Sequence, residues 1–170
     1  LSPGTYCGGL DIGDDAVATL EPGEYIIVDG PLSIRADATL KGEGVGFYFT
    51  GAAATLDFGT TTQAILSAPK TGSLAGILFF EDRASDKGRV FTIRSKDAEK
   101  FEGVIYLPQS TLFIDKASKV GQSSKWTAII ADKLDIGMGP ALQINSDYSG
   151  SSVPVPDGIV SSSGIVHLTN

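Results

Sequence analysis

One short phrase, Leu/Phe-x-Ile/Phe, recurs along the whole chain. It stands at Leu10-Asp11-Ile12, Leu32-Ser33-Ile34, Leu56-Asp57-Phe58, Phe91-Thr92-Ile93, Leu112-Phe113-Ile114 and Leu134-Asp135-Ile136. Successive copies are 22, 24, 35, 21 and 22 residues apart, so five of the six open a unit of about 22 residues and one unit carries an insertion. A second strand-like phrase follows each copy: AVATL, ATLKG, AILSA, GVIYL, TAIIA and ALQIN. A third, EYIIVDG, VGFYFTG or GILFFED, follows some of them. These phrases alternate apolar and polar residues with a period of two, and Gly, Asp, Ser or Pro bounds them. Pro3-Gly4-Thr5-Tyr6 also returns as Pro22-Gly23-Glu24-Tyr25.

Three short strands per unit of fixed length predict an all-β fold: a single-stranded parallel β-helix, or β-solenoid, of about six short turns. One turn cannot bury its own apolar face, so turns stack and like residues pile into columns. The expected hand is right, as for other parallel crossovers. Six rungs at the interstrand spacing give a rod of about 25–30 Å. The competing architecture is an antiparallel sandwich or barrel. Its hairpins need tight turns such as Asn-Gly or Asp-Gly. Of the two candidates, Asp29-Gly30 runs into Pro31, which lacks a ladder N–H, and Asp157-Gly158 stands near the end. A sandwich also supplies no cause for the fixed period.

The expected domain is the whole chain, residues 1–170, with repeats over about 6–145. Residues 81–100 hold six bases and five acids and are predicted to project as one long polar loop. Ser95–Phe101 (SKDAEKF) is the best candidate for a helical turn. Residues 146–164 are rich in Ser, Gly and Pro and read as an irregular tail that caps or flanks the coil, with 165–169 as a candidate last strand.

Hydrophobic residues make up 42% of the 170 residues and charged residues 19%, which places the chain among globular rather than disordered sequences. Its net charge of −7 lies entirely in residues 1–60, where nine acids face two bases; the remaining residues hold eleven of each sign. That balance argues against nucleic acid and anionic membrane surfaces as partners. No apolar stretch approaches the length of a membrane helix. Opening on Leu1 rather than Met, the chain reads as a piece of a longer protein whose export signal or anchor would lie upstream. Cys7 is the only cysteine, so no internal disulfide forms. It is expected as a buried free thiol, or as one half of a bridge to an upstream segment.

Candidate chemistry is sparse, and nothing in the sequence asks for a cofactor or a metal. The middle residues of the repeated phrase should stack outward in the order Asp11, Ser33, Asp57, Thr92, Phe113, Asp135. The acids are never neighbours there, so they read as solvated surface rather than a glycosidase pair. Glu81-Asp82-Arg83 is the densest polar triplet. It reads as a salt bridge pinning the loop or, in the alternative of a polysaccharide lyase, hydrolase or glycan-binding β-helix, as the working residues. Asp14-Asp15 lacks the oxygen ligands of a calcium loop. His167 has no fixed companions. Gly42-Glu43-Gly44-Val45-Gly46 reads as a turn. Thr19 and Thr39 are expected to form a two-rung hydroxyl ladder.

The phrases LSPGTYCGGLDI, LEPGEYIIVDGPLSI, ATLKGEGVGFYFTG, LSAPKTGSLAGILFFEDR, GVIYLPQSTLFI and VPVPDG together resemble the C-terminal region of TadG-like proteins of bacterial Tad (Flp) pilus assembly. The likeness runs from Pro3 to about Val166. It implies an extracytoplasmic setting, an upstream membrane anchor, and a non-catalytic role as spacer or interaction and adhesion module among other pilus-assembly or surface proteins. It transfers no active-site residue.

Overall fold

The computed structural model of the chain describes residues 1–159 apart from residues 96, 116–118, 138 and 140. Fifteen strands and no helix are found among them. In chain order they are β1 (Gly4–Cys7), β2 (Leu10–Ile12), β3 (Val17–Leu20), β4 (Gly23–Val28) and β5 (Leu32–Ile34). Then come β6 (Thr39–Glu43), β7 (Val45–Thr50), β8 (Leu56–Phe58), β9 (Gln63–Ser67) and β10 (Ile77–Glu81). The series ends with β11 (Val90–Ile93), β12 (Asp97–Ile114), β13 (Lys119–Val120), β14 (Thr127–Ile136) and β15 (Ala141–Leu142).

Strand-to-strand pairing is parallel throughout, and the fold is a β-solenoid of about six rungs. Three columns of strands run its length. The repeated phrase builds one: β2, β5, β8, β11, residues 111–114 of β12 and residues 133–136 of β14. A second stacks β3, β6, β9, residues 97–102 of β12, β13 and β15. The third stacks β1, β4, β7, β10, residues 103–107 of β12 and residues 127–131 of β14.

Leu10 pairs with Leu32 and Leu32 with Leu56, so the repeated phrase is in register as its spacing requires. Inward positions stack like on like. Ile12, Ile34, Phe58, Ile93 and Ile114 form one buried file, and Leu32, Leu56, Phe91 and Leu112 form another. Aromatic rings fill the centre: Phe47 lies 5.4 Å from Tyr25 and 5.6 Å from Phe79, and Phe101 lies 5.6 Å from Phe79. Such contacts add to the gain from burial itself.

Several expectations need correction. The sequence GVIYL and TAIIA join the third column, not the second. The second column is continued by residues 97–102, so residues 97–101 of the stretch offered as a helical turn are strand. Its register shifts between Asp97 and Lys100, which hides the period-two pattern. The insertion is not one loop over 81–100: it is divided between residues 68–76, before β10, and residues 82–89, after it. The Pro-Gly-x-Tyr repeat is out of step with the coil, since Tyr6 pairs with Ile27 rather than Tyr25. A slip of two keeps side chains on the same face, and the rings of Tyr6 and Tyr25 still stack at 6.0 Å. Thr19 pairs with Lys41 and Thr39 with Gln63, so the two threonines form no ladder.

Corners use residues that tolerate a left-handed backbone. Asp15 (φ 59°), Asp29 (φ 50°) and Asp37 (φ 60°) do so without glycine, which accounts for Asp14-Asp15 as a corner. The described part of the tail flanks the coil. Trp126 bridges to Ser146, its Nε1 donates to Val153 O at 3.2 Å, and Pro154 presses on Gly76, where a Cβ would stand 2.2 Å from the Pro154 carbonyl. The candidate strand at 165–169 lies outside the described residues.

Phe47→Ala removes a ring enclosed by rungs on both sides. It should lower the unfolding free energy by about 3–5 kcal/mol in urea titration. Val17→Ala, on the first rung at a residue 72% exposed, should change it by less than about 0.5 kcal/mol. Burial, helped by the nearby Tyr6 and Glu21, pushes the Tyr25 hydroxyl up to about 12. A raised phenol contributes stability below its ordinary value and loses it as pH rises through the folded value. Alkaline unfolding should therefore set in between about pH 10 and 12.

Candidate functional site

The triplet Glu81-Asp82-Arg83 is not brought together. Neighbouring strand residues point to opposite faces, and Phe79-Phe80-Glu81 of β10 obeys this. Glu81 pairs with Phe49 and occupies a core file, fully buried. Its partner is Arg89, not Arg83: Arg89 Nη2 donates to Glu81 Oε1 at 2.6 Å. Ser110 Oγ donates to the same oxygen, and Gln109 N donates to Oε2 at 3.0 Å. Arg89 Nη1 donates to the carbonyls of Gly51 and Ala54, both at 2.7 Å. One buried ion pair thus ties the loop 82–89 to the corners of the rungs on either side. A core carboxylate with both oxygens engaged is out of reach of an external substrate.

Asp82 faces outward. It accepts from Ala84 N at 2.9 Å and from Thr50 Oγ1 at 2.8 Å. The Ala84 amide first, then Thr50, with Tyr48 and Arg89 adding to it, hold its carboxyl below the usual carboxylate range. Arg83 lies over the Tyr106 ring, 5.2 Å from its centroid. Tyr106 ends a stack on the outer surface: Tyr48 lies 5.6 Å from Phe80, and Phe80 lies 5.0 Å from Tyr106, nearly parallel. The rings occupy one another's faces, which leaves little flat surface on which a sugar could stack.

The outward file of the repeated phrase runs in the expected order, Asp11, Ser33, Asp57, Thr92, Phe113, Asp135. Its acids are ion-paired. Arg35 Nε lies 2.9 Å from Asp11, Arg94 Nη1 lies 3.2 Å from Asp57, and Lys133 Nζ lies 2.8 Å from Asp135. Thr92 is buried rather than outward-exposed. Cys7 is an exposed free thiol on β1, not a buried one. His167 lies outside the described residues. Among the described residues, no group of three or more His, Cys, Asp or Glu is placed to hold a metal ion, and no helix is long and apolar enough to cross a membrane.

A groove of about 690 Å³ runs along the corner between the second and third columns. Glu43, Ser67 and Glu102 form one file on its floor, paired rung to rung. Lys70, Lys100 and Lys125 line it, and Gly150–Val153 form one wall. Glu102 is buried; Lys100 Nζ lies 3.2 Å from its Oε2, and Ser151 Oγ donates to its Oε1. Sequence reasoning passed over this groove. A signal was present: Lys41-Gly42-Glu43-Gly44 and Lys100-Phe101-Glu102-Gly103 share a Lys-x-Glu-Gly pattern, and register places them two rungs apart.

No family model, no curated protein and no solved structure matches the chain.

Removing one member of the buried pair strands the other. Glu81→Ala or Arg89→Ala should each cost about 3–5 kcal/mol by chemical denaturation, while replacing both with leucine should cost much less. A lowered carboxylate stabilises the fold above its ordinary range and ceases to as pH falls through the folded value. The stability gap between the native chain and Asp82→Asn, followed by thermal melts, should therefore close as pH drops below about 4.

Proposed function

We propose that this chain is a non-catalytic, extracytoplasmic β-solenoid module, a rigid spacer and interaction surface in the assembly of a bacterial Tad-type surface appendage. The observation that carries the reading is the unbroken register from Leu10 to Leu134. Rungs are hydrogen-bonded to their neighbours on three columns, and the two apolar files of the repeated phrase run on from Ile12 to Ile114 and from Leu32 to Leu112. Such a coil resists bending and holds its two ends at a fixed separation. The resemblance to TadG-like sequences supports the setting: attachment through an upstream anchor, with other pilus-assembly or surface proteins as partners. An exposed Cys7 is compatible with a bridge to an upstream cysteine. The alternative of a polysaccharide lyase or hydrolase centred on Glu81, Asp82 and Arg83 draws no support from their placement, since Glu81 is in the core.

Cys7 offers a direct test. Intact cells carrying the full-length protein are treated with a membrane-impermeant reductant and then with an impermeant maleimide. Labelling of Cys7 before lysis is expected. Labelling only after lysis contradicts the extracytoplasmic setting. Excision of residues 1–170 from the full-length protein should reduce the number of assembled pili, and an unchanged number contradicts the role in assembly.

A further inference from the structure

The two ends of the coil differ. At the first rung Ile12 and Leu20 are buried. Residues 1–3 run along that end: Leu1 N donates to Thr19 O at 2.7 Å, and Leu1 O accepts from Glu21 N at 2.8 Å and from the Tyr25 hydroxyl at 2.7 Å. At the last rung the inward files come to the surface. Leu134 is 42% and Ile136 45% exposed, while Leu112 and Ile114, their partners one rung back, are buried. Ile130 and Ile144 are exposed at the same end. Among the described residues β14 pairs only with β12, and its one further backbone bond runs from Thr127 N to Asn145 O at 3.1 Å. A ten-residue strand with apolar side chains and one unpaired edge is a template for another strand.

The charges on that strand select the occupant. Lys133 and Asp135 flank Leu134 on the outward side, with Lys133 Nζ 2.8 Å from Asp135. A two-fold axis sets a strand antiparallel to its own copy. Opposed residues then lie on one face of the joint sheet, so inward positions stay inward only if the axis passes through a residue. Through Lys133 or Asp135 the axis opposes a charge to itself. Through Leu134 it sets Leu134 on Leu134 and opposes Lys133 of each copy to Asp135 of the other. The intrachain pairs remain, so four charges alternate around two leucines. The same axis turns Thr127–Ala131 of each copy toward Ala141–Leu142 of the other, and an exposed isoleucine, Ile130 or Ile144, accompanies each segment.

We infer that the last rung is a homodimer interface, at which β14 of two copies pairs antiparallel about Leu134 and the buried files continue from one coil into the next. This goes beyond the spacer reading and does not rest on it. Two coils joined in this way make one rod of twice the length with their Leu1 ends outermost.

Sedimentation equilibrium of the Cys7→Ser chain, in which no disulfide can link two copies, tests it. The mass should rise with concentration from one chain to two and stop there. Leu134→Arg should leave the chain monomeric with its circular dichroism unchanged. Lys133→Asp opposes like charges at both crossings, as does Asp135→Lys, so each alone should dimerise at least about tenfold more weakly. An equimolar mixture of these two variants should regain association as a heterodimer, because each crossing then opposes Lys to Asp. The inference is overturned by a chain that stays monomeric up to its solubility limit, which leaves the last rung to residues 160–170 or to another protein. A mass that climbs past two chains overturns it in favour of head-to-tail stacking. Undiminished dimerisation of Leu134→Arg, or a mixture that associates no more tightly than either single variant, overturns it as well.

Discussion

In an in-register parallel coil every side chain sits on its counterpart one rung away. That constraint governs the rest of this molecule. An inward position must suit not one neighbour but a whole file, and an unsatisfied polar group would break the file. The chain meets this with Ile, Leu and Phe almost throughout. Glu81, with Phe49 as its neighbour in the file, is tolerated because Arg89, Ser110 and the Gln109 amide engage its oxygens. A buried pair of this kind adds little net stability over a well-packed apolar replacement. What it supplies is a fixed path for the chain where the coil takes on an insertion, since Arg89 also grips the carbonyls of Gly51 and Ala54.

The same constraint shapes the exterior. Outward residues also stack, so chemistry that recurs from rung to rung becomes a line. Tyr48, Phe80 and Tyr106 become an aromatic stack, and Glu43, Ser67 and Glu102 become a groove floor. Insertions are confined to corners, where added length disturbs no file. Residues 68–76 and the tail at 150–153 use that freedom to wall the groove. The last rung lacks a second neighbour, and Leu134 and Ile136, which continue buried files, stay exposed there.

How far the sequence could be read follows from this. The Leu-x-Ile phrase is short, strictly alternating and free of bulges, so its spacing yields the correct register for every copy. The second column was legible at β3, β6 and β9 and again at ALQIN, whose Ala141-Leu142 is β15. Between them it is built from DAEKFE and the two-residue β13, in which a register shift or sheer brevity leaves no periodic signal. The Pro-Gly-x-Tyr repeat misled by two residues because an even slip preserves the face pattern. Glu81 stands beside Asp82 and Arg83 in sequence but on the opposite face of the strand from Asp82. Aligning ILFFE with VGFYF would have put Glu81 in the place of Phe49 and turned it inward. The groove needed register first, since its Lys-x-Glu-Gly patterns are 59 residues apart, from Lys41 to Lys100, and meet only once the coil is wound.

The stacking itself is open to direct measurement. With Cys7 replaced by serine, nitroxide pairs are placed at position 11 and at 92, 113 or 135, and pulsed electron resonance reads each separation. Stacked rungs place these backbone positions three, four and five strand spacings apart, so the distances should rise in equal steps from about 14 to about 24 Å. Distances that fail to rise in step with rung number would contradict the coil and every column read from it.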